Sequence, residues 1–232
     1  TQDGQTYFRQ MHGTFANRYG YGLYLSSKSY VEIERCHFLR YNYGIYLSYS
    51  SNNTITTPTC NSDDYGIYLS SSSNNTLTTP TCNSNTEGIY LYNNSNNSTI
   101  TTPTCNSNSY GIYLSSSSNN TITTPTCNSN NSYGIYLQNS SNNTIITSTC
   151  NSNTYYGIYL GYSSNNTITT PTCNSNNYGI YLSSSSNNIV NKYSGTGNST
   201  DVYVNPARHY GDYPCLKCQH FKTAGVNKCF YE

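Results

Sequence analysis

The sequence has no tryptophan, one methionine and only 8% charged residues, about a third of the share found in ordinary soluble domains. No Lys, Arg or His lies between residues 41 and 191, and the only carboxylates there are Asp63, Asp64 and Glu87. A shaft without cations excludes nucleic-acid binding through phosphate neutralisation, and a net charge of +1 gives no general pull towards anionic membranes. Long hydrophobic runs are also missing, which excludes a membrane-spanning helix. With no histidine in the middle, no nucleophile–base pair can be placed there. No glycine-rich phosphate loop occurs, so no cofactor is expected. The chain opens at Thr1 with no Met, no basic n-region and no apolar h-region. That reads as a mature chain whose export signal has been removed, although a trimmed chain would look the same.

What the chain has instead is a repeat. Gly-(Ile/Leu)-Tyr-Leu recurs with its glycine at Gly22, Gly44, Gly66, Gly88, Gly111, Gly134, Gly157 and Gly179, at intervals of 22 or 23 residues. A constant period of this length marks a solenoid, in which each unit buries its apolar side against its neighbours. Within one unit, three short extended segments alternate with turn residues: Thr54-Ile55-Thr56, a segment centred on Cys60, and Gly66-Ile67-Tyr68-Leu69. Thr, Ile and Tyr favour strands, and the Ser-Asn, Asn-Asn and Thr-Pro clusters between them favour bends. Three strands per coil predict an all-β, right-handed parallel β-helix of about eight coils. Strand alternation places Ile55, Cys60, Ile67 and Leu69 inside, with Asn53 on the inner side and Asn52, Thr54, Thr56 and Tyr68 outside. Pro58 and its equivalents should sit at a bend, since proline cannot donate to a ladder.

The pattern N-N-T-I-x-x-x-x-C/I-x-x-x-x-Y-G-I-Y-L resembles the repeats of NosD-type periplasmic proteins and the wider carbohydrate-binding and sugar-hydrolase repeat group. The resemblance covers roughly residues 20–190 and implies a parallel β-helix. It says less about function, because the group includes enzymes, adhesins and structural proteins. The chain departs from the enzymes in lacking a carboxylate cluster, and from most members in placing Cys at the inward position of the second strand. The predicted organisation is an N-terminal segment (1–19) that caps the helix or contacts another subunit, the β-helix (20–190), and a Cys-rich C-terminal capping or docking module (191–232).

Four rows carry candidate chemistry. Sequons begin at Asn52, Asn74, Asn97, Asn119, Asn142 and Asn165 in equivalent positions, with others at Asn93, Asn96, Asn130, Asn139 and Asn198. These are N-glycosylation candidates, unless paired asparagines merely stack as ladders. Thr56, Thr57 and Thr59, beside Pro58, are O-glycosylation candidates. Cys60, Cys82, Cys105, Cys127, Cys150 and Cys173 form a row that reads as free thiols packed like small apolar groups, with disulfides between coils as the rival. No metal site is expected there, because a thiolate row in an apolar tube repels itself. Tyr24, Tyr46, Tyr68, Tyr90, Tyr113, Tyr136, Tyr159 and Tyr181 make an outward aromatic strip that binds sugar rings, packs laterally, or only stabilises the sheet.

The ends differ from the shaft. Cys215, Cys218 and Cys229 lie close together with His220; disulfides are the favoured reading in an exported chain, and zinc the alternative. Cys36 would complete the set through a bond between subunits stacked head to tail. Asp63, Asp64 and Glu87 fall on neighbouring coils near one corner and are the only catalytic candidate on the shaft; with no basic residue nearby, no enzymatic activity is expected. The leading expectation is a secreted, extracellular structural protein that assembles with itself into a glycosylated filament. The runner-up is a carbohydrate-binding or adhesive module using the tyrosine strip. Ice binding through the threonine rows is the third reading and polysaccharide cleavage the fourth.

Overall fold

The computed structural model describes residues 6–16, 19–205, 217–219 and 230–231. The described residues fold into three parallel sheets with no helix. The first sheet runs from Thr6–Arg9 and Val31–Glu34 through Thr54–Thr56 and its equivalents to Ile189–Asn191 and Lys217–Gln219. The second runs from Tyr21–Ser26 and Tyr43–Ser48 to Thr200–Asn205 and Phe230–Tyr231. The third joins His12–Thr14, His37–Leu39 and Thr59–Asn61, and single bridges from Thr59↔Thr81 to Thr172↔Ser194 continue it. The chain is thus a right-handed parallel β-helix of about nine turns. No helix among the described residues is long and apolar enough to cross a membrane.

Register is constant because the repeat length is constant. Ile45 pairs with Ile67, Ile67 with Ile89, and the Tyr and Leu positions follow suit. Four inner columns fill the tube: Ile55 and its equivalents on the first sheet, the cysteines on the third, and Ile67 and Leu69 with theirs on the second, all fully buried. The cysteine column is closed by an aromatic ring at each end. Phe38 takes its position in the register at one end, and the buried ring of Tyr193 lies against Gly179 at the other. On the second sheet glycine precedes each inner Ile for want of space: a Cβ on Gly111 would lie 2.5 Å from the carbonyl oxygen of Gly134 and 3.1 Å from that of Cys105.

Buried side-chain rows also line the corners. The backbone N–H of one coil donates to the side-chain oxygen of the next: Asn85 to Asn108 at 2.8 Å, Asn108 to Asn130 at 2.9 Å, Asn53 to Asn75 at 2.9 Å, Ser50 to Ser72 at 2.9 Å. These bonds supply partners for peptide groups that the bends take out of the sheets, where an orphaned group would be costly. The bends need left-handed residues, which Thr57, Ser62, Ser71 and Asn74 and their equivalents provide. Asparagine tolerates that conformation better than most residues, which explains why Asn recurs at positions 52, 74, 97, 119, 142 and 165.

The predicted boundaries at 19/20 and 190/191 are not boundaries of the helix. Thr6–Arg9 pairs with Val31–Glu34 and His12–Thr14 with His37–Leu39, so residues 6–14 belong to the same stack. At the other end Ile189–Asn191 and Thr200–Asn205 stack on the preceding coil, with Val202 and Val204 buried in place of Ile and Leu. That last strand adds the ninth turn. It lacks the glycine motif but keeps the inward alternation, which is what the sheet requires.

Candidate functional site

The outer side of the second sheet carries the most distinctive surface. The tyrosine strip is in register from Tyr24 to Tyr181 and extends by one residue to Tyr203. A second column, missed in the sequence reading, runs beside it: Tyr21, Tyr43, Tyr65, Glu87, Tyr110, Tyr133, Tyr156 and Tyr178. The signal was the residue immediately before each glycine. A side chain there shares a face with the Tyr three places on, because two consecutive residues, the glycine and the Ile after it, are both buried between them and break the alternation.

The rings stack on one another. Tyr90 and Tyr113 lie 4.6 Å apart at 1°, Tyr113 and Tyr136 4.6 Å at 2°, and Tyr43 and Tyr65 4.8 Å at 8°. Ring faces in these stacks are turned to each other along the axis, so edges and phenol groups face outward. Towards the C-terminal end the columns cross instead, with Tyr156 and Tyr181 at 70° and Tyr178 and Tyr181 at 85°. Burial, then neighbouring phenols, pushes the Tyr43 and Tyr133 hydroxyls up to about 12, so these phenols stay uncharged at neutral pH. Tyr113 and Tyr136 both donate to Gln138 Oε1, at 2.7 and 2.9 Å.

Glu87 interrupts the second column. It is half-buried, and its Oε2 has no hydrogen-bond partner. Burial first, and the Asp64 carboxylate second, push its carboxyl up to about 7. A carboxyl poised there can take or give a proton at neutral pH. The three shaft carboxylates, expected to group at one corner, divide between the two sides of the wall. Asp64 accepts from Asn42 Nδ2 at 2.8 Å on the outer side. Asp63 is fully buried in the asparagine row, where its Oδ1 accepts the Tyr41 N–H and its own N–H donates to Asn85.

The remaining candidates fall as follows. Asn52, Asn74, Asn97, Asn119, Asn142 and Asn165 are exposed at a corner, as are Asn93 and Asn139, while Asn96 is half-buried. Asn130 is buried, with its amide donating to Asn153, so it is not open to glycosylation. Asn198 is half-buried and bonded to Cys173 and Asp201. Thr57 is exposed; Thr56 and Thr59 are half-buried. The six shaft cysteines are free and buried. Burial pushes the thiols of Cys60, Cys82, Cys105, Cys127 and Cys173 well up. Cys36 is also a free, fully buried thiol, its Sγ near the carbonyls of Glu34 and Phe8. It cannot reach a neighbouring subunit, because the coil formed by residues 6–14 covers it. Cys215, Cys229 and His220 lie outside the described residues; Cys218 pairs through its backbone with Val190.

At the N-terminal end of the third sheet, the exposed imidazoles of His12 and His37 stack at 4.8 Å and 7°. They border an open cavity of about 240 Å³.

Fold and surface together define a parallel β-solenoid that presents one continuous phenol face. The family described as periplasmic copper-binding protein (NosD) matches residues 2–168 and again 139–209. The chain belongs to the NosD family. No curated protein sequence matches it. Among solved structures, a mutant of the periplasmic alginate epimerase AlgG superposes with a TM-score of 0.69 at 19% identity, over 75% of this chain and 47% of that one. The A-module of the Azotobacter vinelandii mannuronan C-5 epimerase AlgE6 gives 0.65 at 14%, over 82% and 62%. The enzymatically active domain of bacteriophage CBA120 tailspike protein 2 gives 0.61 at 15%, over 82% and 39%. The chain therefore spans roughly half the length of these structures, and at such identities the likeness is one of fold.

These neighbours overturn the expectation that the chain is not an enzyme. That expectation treated a sparse set of carboxylates as excluding catalysis, yet the fold is one that carries carbohydrate-active enzymes. Glu87, raised to about 7, is the kind of group such chemistry uses.

The copper named in the family description does not fit the described residues. No group of three or more His, Cys, Asp or Glu converges there. The cysteines stand in single file, one per coil and fully buried, which presents no convergent, accessible set of ligands.

Proposed function

We propose that this chain is a carbohydrate-active β-helix that holds an extended polysaccharide along the outer face of its second sheet. The observation that supports this reading is the pair of in-register tyrosine columns, broken only by the Glu87 carboxyl. Rows of phenol groups repeat at the coil spacing, about 4.8 Å, close to the advance of one sugar residue along an extended glycan. Tyrosine supplies both a hydroxyl and an apolar edge, the combination that a sugar presents in return. Glu87 is the proton-transfer group of this reading. Membership of a family described as periplasmic supports a location outside the cytoplasm.

A glycan array followed by calorimetry tests it. Saturable binding to at least one polysaccharide, lost when Tyr68 and Tyr113 are both changed to Ser, is the expected result. An array without a hit ends this reading.

The exposed sequon row favours a second reading, a glycosylated shaft that assembles head to tail. Among the described residues, Thr6–Arg9 and Tyr21–Ser26 pair on one side only, an arrangement suited to strand addition by another chain. Intact mass and electron microscopy of protein from its native source would show added hexose mass and filaments. Unmodified, dispersed rods would end it.

A further inference from the structure

The outer face of the first sheet has a regularity that the tyrosine columns do not explain. Its short strands, from Thr54–Thr56 to Thr167–Thr169, each bury the middle residue and turn the two flanking residues outward. The outward residues pair in register from coil to coil. Thr54, Thr76, Thr99, Thr121, Thr144 and Thr167 form one rank. Thr56 and its equivalents to Thr169 form the other, with Ile146 the single departure. Thr54, Thr76 and Thr99 are exposed, and the others are half-buried. The buried row immediately before these strands, from Asn53 to Asn188, joins each coil to the next by a hydrogen bond of 2.7–3.1 Å. Specific side-chain ladders of this kind hold a sheet flat.

No charged side chain stands on this face over these coils. Asp63 is buried, Asp64 immediately precedes a strand of the second sheet, and Glu87 belongs to one. Charge begins at the N-terminal edge of the ranks, where the same two positions are Glu32 and Glu34, bridged to Arg9 at 3.9 and 3.1 Å. Within the ranks, threonines repeat at about 4.8 Å from coil to coil and at about 6.6 Å along each strand. Threonine is stiff at χ1, so each presents its hydroxyl and its methyl in a fixed direction. The hydroxyl donates and accepts, and the methyl takes no hydrogen bond and leaves water to bond with water. A flat, uncharged grid of such groups imposes its own two repeats on the water above it. Those repeats are close to the spacings of the oxygen rows on the prism face of hexagonal ice.

We propose that the threonine face of the first sheet binds ice. It is a different surface from the tyrosine face and does not depend on the glycan reading. The test is thermal hysteresis and ice-crystal shape, measured by nanolitre osmometry on the whole chain produced without glycosylation. Thr99→Lys and Thr121→Lys each place a hydrated charge in the first rank. Tyr155→Lys places the same charge at an exposed position between the third and second sheets, away from the ranks. Thermal melts confirm that all three remain folded. Faceted crystals and hysteresis in the parent and in Tyr155→Lys, and loss of both in the two threonine variants, is the expected result. Round, unshaped crystals in the parent overturn the proposal. Hysteresis that survives both threonine variants overturns the assignment to this face. Glycan binding enters neither readout, so failure here leaves the tyrosine-face reading in place.

Discussion

The inside and the outside of the same wall each contain one acid that breaks a row, and the two breaks differ. Inside, Asp63 stands in a row that continues as Asn85, Asn108, Asn130, Asn153 and Asn176. It has the shape of asparagine and keeps the oxygen that accepts the N–H of the preceding coil, so the ladder passes through it unbroken. Outside, Glu87 stands in a row of tyrosines, lacks the ring, and holds a buried Oε2 without a hydrogen-bond partner. The inner row must satisfy buried peptide groups and tolerates only an isostere. The outer row contributes stacking that any one coil can forgo, so an interruption there is where a binding function can sit without unfolding the helix.

This contrast can be broken most severely from the inside. Gly111→Val places a branched side chain where even a Cβ would lie 2.5 Å from the Gly134 carbonyl. We expect no folded protein, read as loss of the cooperative melt by circular dichroism.

A milder break is Asn108→Ala, which removes the acceptor of the Asn85 N–H and the donor to the Cys82 carbonyl. Each orphaned buried group costs about 1–3 kcal/mol, and the melting temperature should fall by about 2–4 °C per kcal/mol. The inner row would prove dispensable if Asn108→Ala melted with the parent.

The smallest effect sharpens the outer side. The Glu87 carboxyl is raised from 4.5 to about 7 in the folded chain, so the folded state holds a proton that the unfolded chain releases at lower pH. Stability from this group is fully present below about pH 4.5 and is lost as pH rises through about 7. Glu87→Gln removes that titration. Denaturant melts from pH 4 to pH 8 should show the parent losing stability relative to Glu87→Gln over this window, with no further divergence above it. Parallel profiles would mean that Glu87 is not buried enough to matter.

Much of this was legible in the residues. The period of the Gly-Ile-Tyr-Leu motif determined the solenoid, and alternation put Ile55, Asn53, Ile67 and Leu69 on the inner side and Tyr68 on the outer, as the burial shows. The stack was harder to bound, because Thr6–Arg9 and Thr200–Asn205 lack the motif and join the helix through alternation and pairing alone. The second tyrosine column was in plain view as the residue before each glycine, but its meaning depends on rings meeting across coils. Cys36 looked available for a bond between subunits until residues 6–14 proved to cover it.

The sequence by itself determined the repeat, the strand faces and the uncharged shaft, because those depend on short-range alternation and on composition. Only the tertiary structure decided that Asp63 turns inward while Glu87 turns outward, that Asn130 is buried while Asn119 is exposed, and that the tyrosines stack into columns with one ring missing. Those facts arise from contacts between residues 22 or 23 positions apart in the chain, about 4.8 Å apart in space, and such contacts exist only once the coils are stacked.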